Sequence, residues 1–516
     1  NVYPRVLSDF DPNQFFPSIY NAFVGPVDGF CCDTNIDDID RSHVLNEEDR
    51  DQSRVSGLSW TNTWAIGDLT LKSITGYREM EAEVYRDSDN AINNYFSVGT
   101  EWDTYQFSQE FLLSNASGSS FDWLVGAYYF EEDGDHVTDV TVADGLYDAL
   151  KDLPFEVTTP DGVPLRFLAV PLDLTLHYDR TQKTTSYAAF FNTTWHMSDT
   201  TRLNLAARYT YDEKKLDTYT IKRASQTPTV APGATDPDEC SDVVANGNGS
   251  DFSCENDWSE FSPKIGIDHD FSDHILGYAH VSRGFRSGVF NGRPTSTGEI
   301  SVADPETLTS YELGFKSQLI DQTVQINGAI FYNDYQDQQF LINRSSAALA
   351  GGLALIVDNA ADSTLLGAEI EMTAVPTEGL TLMAGLSWLE PEYENFDSLN
   401  PATGEVEDLS DRPFANVPEW NANIMAQYIF DLGNSGSLRL RGDAAYKSEV
   451  FYTNDEQAST FDRLNPSGFT TYNAGLTWVS PQSAWELGVF GRNLGDKRVV
   501  NGGFVVDAFG STDVSY

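Results

Sequence analysis

The ten residues Arg202-Leu203-Asn204-Leu205-Ala206-Ala207-Arg208-Tyr209-Thr210-Tyr211 alternate without a break. Leu203, Leu205, Ala207, Tyr209 and Tyr211 share one face, and Arg202, Asn204, Ala206, Arg208 and Thr210 share the other. A period of two marks a β-strand, because successive side chains leave opposite sides of the pleat. The division recurs along the chain. Leu438, Leu440, Gly442, Ala444 and Tyr446 oppose Arg439, Arg441, Asp443, Ala445 and Lys447. Leu366, Ala368, Ile370 and Met372 oppose Gly367, Glu369, Glu371 and Thr373, and Val324, Ile326, Gly328, Ile330 and Tyr332 oppose Gln325, Asn327, Ala329, Phe331 and Asn333. A water-facing sandwich gives one such pattern. Repeated over strands of about ten residues or more, the pattern fits a wall with lipid outside and a polar lumen inside.

The connections are a second signal. Short turns fall at Ile66-Gly67-Asp68, Asn115–Ser120, Met197-Ser198-Asp199, Asp270–Asp273, Ile320-Asp321, Pro376–Gly379, Asp431–Gly436 and Ser480–Ser483, built from the residues that tight hairpins require. The alternate connections are long, at Asp87–Asp103, Gly134–Asp179, Asp212–Asp257, Arg286–Glu306, Asp337–Thr364, Pro391–Asn416 and Phe451–Pro466. Short turns at one end and long loops at the other predict an all-β, antiparallel transmembrane barrel with about sixteen strands from Ser53 to Leu494. A propeller needs a repeat near 40–50 residues, and none is visible. Residues 1–51 read as an external loop region, broken by Pro4, Pro12, Pro17 and Pro26, and 52–516 as the barrel. Asn501–Tyr516 reads as glycine- and aspartate-rich loop, leaving the barrel without a closing strand. The first residues carry no basic segment followed by an apolar one, so the expectation is a removed signal or a start inside a larger protein.

Composition sets the limits of function. Asp and Glu number 79 against 31 Lys and Arg among 516 residues, a net charge of −48 that excludes a nucleic-acid partner. Aromatic residues at 13% exclude a solvated acidic tail. A mean hydropathy of −0.35 and no apolar run near the length of a spanning helix exclude a helical membrane protein. Seven His without an HExxH spacing, and no other catalytic signature, argue against an enzyme.

Six segments then become specific. Gly284-Phe285-Arg286-Ser287-Gly288-Val289-Phe290-Asn291, followed by Pro305-Glu306-Thr307 and Tyr311-Glu312-Leu313-Gly314-Phe315-Lys316-Ser317, resembles the mid-barrel signature of TonB-dependent outer-membrane receptors. Phe107–Ser114, Val417-Pro418-Glu419-Trp420 and Gly491–Arg498 resemble further family segments, in the family's order. The resemblance implies a barrel of about 22 strands plugged by an N-terminal domain. It implies bacterial outer-membrane localisation with long loops to the exterior, in contact with lipid and lipopolysaccharide. It implies a plug segment, not found in these residues, that contacts TonB–ExbB–ExbD. The function it implies is active uptake of a scarce nutrient, foremost a ferric siderophore or similar iron chelate. A passive porin or an adhesive surface barrel is the alternative.

Candidate site residues follow from position. Lys72, Arg78, Arg202, Arg208, Glu312, Lys316, Glu369, Glu371, Arg439, Arg441 and Arg492 are expected to face the lumen or plug, because Arg or Lys facing lipid at the midplane costs about 2–4 kcal/mol. Trp60, Trp123, Trp195, Trp388, Trp420, Trp478 and Trp485 are expected in interfacial girdles. Arg286, Asn291, Arg293, Tyr335 and Phe340, where strands enter long loops, are expected to contact ligand. Cys240 and Cys254 are expected to form a disulfide in an oxidising compartment. Cys31-Cys32 reads either as a strained vicinal bridge or as pairing elsewhere. No cofactor or metal centre is expected; calcium would suit the clustered carboxylates of the acidic loops Glu131–Asp179 and Asp236–Asp257, but no twelve-residue calcium loop is present and solvation is the favoured reading.

Overall fold

The computed structural model describes residues 5–8, 19, 22–24, 50–87, 96–115, 118, 120–142, 145–158, 164–167, 174–222, 240–246, 249–294, 299–345, 353–400, 405–452, 467–497, 499, 502–506 and 511–515. Cys31 and Cys32 lie outside them. Sixteen wall strands follow in chain order: β1 Arg50–Ile66, β2 Leu69–Asp87, β3 Phe96–Asn115, β4 Phe121–Val142, β5 Leu174–His196, β6 Thr201–Lys222, β7 Gly249–Ser272 and β8 Ile275–Arg286, then β9 Glu306–Leu319, β10 Val324–Ser345, β11 Leu353–Thr377, β12 Leu380–Leu399, β13 Trp420–Asp431, β14 Ser437–Lys447, β15 Phe469–Val479 and β16 Glu486–Gly491. Each pairs antiparallel with the next, so the wall is an all-antiparallel up-and-down sheet. Among the described residues no ladder joins β16 to β1. Among the described residues no helix is long and apolar enough to cross a membrane.

The short turns lie where their sequences place them. Gly67 and Gly379 take positive φ values of 62° and 82° between β1 and β2 and between β11 and β12, conformations that favour glycine.

Register carries one face around the wall. Arg208 opposes Phe190, which opposes Gly126, and Arg441 opposes Gln427 and Gly475. The reverse face is a band of Phe191, Ile265, Ile267, Leu313, Ile330, Ile370, Leu386, Ile424 and Leu440, all exposed. Aromatic rings bound the band. Phe121 and Trp195 stack at 5.7 Å at the short-turn end. Tyr129, Tyr187 and Tyr211 line up at 5.2 and 6.5 Å towards the long loops, and Trp388 meets Trp420 at 6.3 Å. Rings with an apolar body and a polar tip suit an interface between lipid and water.

Two sequence expectations change. Gly134–Asp179 and Asp212–Asp257 read as loops, yet β4 runs to Val142, β5 starts at Leu174, β6 runs to Lys222 and β7 starts at Gly249; the loops read at Asp87–Asp103, Asp337–Thr364 and Pro391–Asn416 shorten likewise, with β3 starting at Phe96, β10 running to Ser345, β11 starting at Leu353 and β12 running to Leu399. Beyond Tyr187, β5 continues for roughly 40 Å of strand. The reason is local: Val137, Thr138, Val140, Tyr178, Thr218 and Thr220 are β-formers whose backbones complete the ladder above the apolar band. The second change is at the termini. Arg5–Ser8 and Gly502–Val506, both read as loop, flank Ser511–Ser515 in a small three-stranded antiparallel sheet.

Candidate ligand site in the barrel mouth

At the long-loop end, the connection between β8 and β9 turns inward instead of standing up. Within it Val289–Phe290 pairs with Val302–Ala303 as a short hairpin. Its apolar side, Phe290, Ile300 and Val302, packs on Leu216, Phe252, Cys254 and Trp258 of β6 and β7. A Cβ on Gly288 would stand 2.3 Å from the Trp258 ring and 2.7 Å from the Ala303 carbonyl, so only glycine lets the loop lie this close. Lys214 Nζ donates to the Gly288 carbonyl at 2.7 Å, and Arg180 Nη1 donates to the Gly292 carbonyl at 3.3 Å. Cys240 and Cys254 sit opposite each other in register and are joined by a disulfide beneath this packing. A bridge closing a loop of that span stabilises by about 3 kcal/mol in the chain-entropy model.

The loop's base is fastened to the other side of the mouth. Glu306, 3% exposed, accepts from Tyr335 Oη at 2.6 Å and from the Gln339 backbone N–H at 2.8 Å, and Arg286 Nη1 lies 3.4 Å away. Burial, and then the hydrogen bond to Glu306, push the Tyr335 phenol well above its ordinary value. A register shift between Tyr335 and Gln339, with Asp337 at a φ of 58°, re-aims the strand. Gln339 Nε2 can then donate to the carbonyls of Ser287 at 3.0 Å and Asp304 at 2.9 Å. Asn359 Nδ2 also donates to the Asp304 carbonyl at 2.9 Å, and the Val357 N–H donates to Ser301 Oγ at 2.9 Å. The loop therefore bridges the mouth from β10–β11 to β5–β7.

The five expected ligand contacts take different positions. Arg286 is largely exposed beside Glu306, and Tyr335 is the donor to that carboxylate. Asn291 is engaged within the loop: its Nδ2 donates to the Glu299 carbonyl at 2.7 Å and its Oδ1 accepts from the Arg293 N–H at 3.1 Å. Phe340 joins Tyr393 and Phe396, with ring centroids 6.2 and 4.6 Å away, in an aromatic cluster that Phe414 extends by stacking on Tyr393 at 3.9 Å. Arg293 is exposed and acts electrostatically on Arg180 and His136. Sequence reading missed Arg180, His136, Lys214, Trp258, Glu306 and Gln339 as a group. Carrying the alternation of β4 and β5 past Tyr129 and Tyr187 would have placed His136 and Arg180 inward together.

Burial and then Arg180 lower the His136 imidazole from 6.5 to about 4. The folded mouth thus binds this proton more weakly than the unfolded chain does. Its contribution to stability is full above pH 6.5 and is lost as pH falls towards about 4. Hydrogen-exchange protection of the loop, corrected for intrinsic rate, is expected to fall across that window, and His136→Gln is expected to flatten the profile. An unchanged profile in the variant would assign the dependence to other groups.

Below the mouth, the lumenal charges divide into two kinds. Arg202 donates to Asp270 at 2.6 and 2.9 Å, with Asp268 at 3.9 Å, and Arg441 lies 3.5 Å from Asp443. Arg208 stands 5.4 Å over the rings of both Tyr128 and Phe190, and Arg492 5.5 Å over Phe490. Tyr278 Oη donates to Glu312 at 2.7 Å. Lys316, Glu369, Glu371 and Arg439, on the same face by register, have no ion pair among the described residues. No three His, Cys, Asp or Glu side chains among the described residues gather as a metal requires.

The family model for the TonB dependent receptor-like β-barrel matches residues 2–494. The chain belongs to the TonB-dependent receptor family. Solved TonB-dependent receptors share the fold at low identity. The ferric yersiniabactin uptake receptor FyuA of Yersinia pestis is 15% identical with a TM-score of 0.67, the match covering 90% of this chain and 59% of that one. The siderophore receptor PiuA of Acinetobacter baumannii is 16% identical at a TM-score of 0.60, covering 90% and 64%. The ferric-catecholate import receptor Fiu of E. coli K12 is 12% identical at 0.59, covering 92% and 65%. The chain thus spans about three fifths of the length of these TonB-dependent receptors. The family is one of outer-membrane barrels, which accounts for the outward apolar band.

Proposed function

We propose that this barrel belongs to an active-transport receptor that takes up a scarce nutrient, a ferric siderophore or similar iron chelate. The energy comes from TonB–ExbB–ExbD, and the long loops face the cell exterior. The observation that carries the reading is the set Lys316, Glu369, Glu371 and Arg439, which makes no ion pair among the described residues on an inner wall where Arg202 and Arg441 do pair with carboxylates. A wall that exposes both signs inward suits a plug held by charged hydrogen bonds that exchange when it is pulled. A passive pore needs no such contacts. Three of the similar structures are named as receptors for ferric chelates or siderophores, which favours that cargo.

The test is uptake of radioiron by cells with and without the gene, supplied as ferric citrate, a ferric tris-catecholate or a ferric trihydroxamate. One of these is expected to enter only with the gene and only while the inner membrane is energised. Entry that persists after an uncoupler marks a passive pore, and gene-independent entry of all three removes the uptake reading.

A further inference from the structure

One row of the inner wall above the apolar band reads His136, Arg180, Thr218, Phe252 across β4, β5, β6 and β7, and the next row includes Thr138, Tyr178 and Thr220. The carboxylates adjoining these two rows point the other way, while Glu132 and Asp212 lie on the inner face lower down, beside Lys214. Asp135 accepts from Thr181 Oγ1 at 2.6 Å and Asp139 contacts His177 at 2.7 Å, both on the outer face, and Asp179 and Asp217 share its parity. A chain with 79 acidic residues therefore presents none of them from these rows to Arg180. Arg180 and Arg293 have no ion pair among the described residues, and Arg293 adds to the cost that burial places on the Arg180 charge.

Unused hydrogen-bonding capacity gathers at the same place. A guanidinium offers five N–H donors in a flat fork, and among the described residues Arg180 makes one hydrogen bond, to the Gly292 carbonyl. His136 Nδ1, Thr218 Oγ1 and Thr220 Oγ1 are buried without a partner among the described residues, the two threonines being 3% and 1% exposed. Buried polar atoms normally find partners, so several orphans around an unpaired guanidinium mark a place completed by something else. Two guanidiniums, an imidazole and hydroxyls are the donor set for an oxyanion, and the fork matches a carboxylate with two parallel bonds.

We propose that Arg180, Arg293 and His136, with the hydroxyls of Thr218 and Thr220, form an oxyanion subsite that takes a carboxylate of an acidic metal chelate beneath the inward-turned loop. The subsite rests on the uptake reading for its biological use, but not for its chemistry. Its position also assigns the loop a role. Arg180 is tied to Gly292, so a ligand drawing on the guanidinium bears directly on the loop that covers it.

The test uses full-length protein in detergent, with folding of each variant checked by heat-modified gel mobility. Ferric citrate is the anionic polycarboxylate probe and a neutral ferric trihydroxamate is the comparison, both titrated by tryptophan fluorescence. Ferric citrate is expected to bind saturably, Arg180→Gln to weaken it at least tenfold, Arg293→Gln to weaken it less, and Arg180→Lys to restore part of the loss. Trihydroxamate binding, where present, is expected to be unchanged by Arg180→Gln. Ferric citrate affinity that survives Arg180→Gln, or no saturable binding of ferric citrate, overturns the subsite. Energised uptake in cells separates the two readings. Uptake that persists in Arg180→Gln cells with unchanged citrate binding removes the subsite alone. Arg180-dependent binding without any energised uptake removes the transport reading alone.

Discussion

Replacing Ile424 by Arg is expected to destabilise the barrel by about 2–4 kcal/mol, while replacing its neighbour Asn423 by Arg changes stability by only about 0.5 kcal/mol. The two residues are consecutive in β13 and both are exposed, Ile424 at 60%. Hydropathy of the segment cannot separate them; the pleat does. Ile424 opposes Ala384 and Ala444 in the outward band, midway between Trp420 and Phe430, and Asn423 opposes Gly385 and Ala445 on the face that carries Arg441. A guanidinium at the middle of the outward band must dehydrate or thin the bilayer around it, whereas on the lumenal face it meets water and polar neighbours. Urea unfolding in lipid vesicles, followed by tryptophan emission, measures both. Equal costs would mean that the two faces see the same solvent, and the assignment of lipid to the outward band would fail.

The contrast between those residues also shows what the sequence could carry. Lipid on one side and water on the other act on every strand crossing the band, so alternation such as Arg202–Tyr211 declares itself within ten residues. Turns are as local: Gly67 and Gly379 need only their own φ. The mouth is different because its partners are far apart in sequence. Gly288 is a glycine on account of Trp258, thirty residues earlier, and Gly292 faces Arg180 across more than a hundred residues. No periodicity encodes such pairings. Arg286–Glu306 read simply as a long connection, and nothing in its composition says whether it stands up or turns inward. Asn291 illustrates the limit of residue type. A polar side chain at a strand exit suits a ligand contact, but here its amide is engaged in holding the hairpin closed. The Cys240–Cys254 disulfide was legible, and the inward orientation of His136 and Arg180 would have been, had the strands not been stopped at the end of the apolar band. Strand alternation continued above the membrane is therefore a usable signal for which loop-proximal charges face a ligand and which face the medium.

Glu306→Ala is expected to undock the inward loop, with a local cost of about 2–4 kcal/mol. The carboxylate holds three groups at once: the Tyr335 phenol, the Gln339 N–H and the Arg286 guanidinium. The last contributes least, because Arg286 is 69% exposed and an ion pair screened by water is worth little. The main loss comes from the first two, which in the alanine variant are half-buried donors left without their acceptor. Those donors sit at the strand bulge that aims Gln339 at the carbonyls of Ser287 and Asp304, so their loss also loosens the loop's second fastening. The Phe290, Ile300 and Trp258 packing and the Lys214 and Arg180 bonds remain, and the effect is confined to opening the mouth. A cost of this size raises the open population by about two orders of magnitude. Hydrogen exchange at the Asn291 amide, which donates to the Ser301 carbonyl at 2.9 Å, is expected to accelerate accordingly while amides of β13–β15 do not change. Arg286→Ala is expected to shift the same amide less than tenfold. Equal acceleration in the two variants would place the fastening in the exposed ion pair, and no acceleration in Glu306→Ala would show that the apolar packing alone keeps the loop inside the mouth.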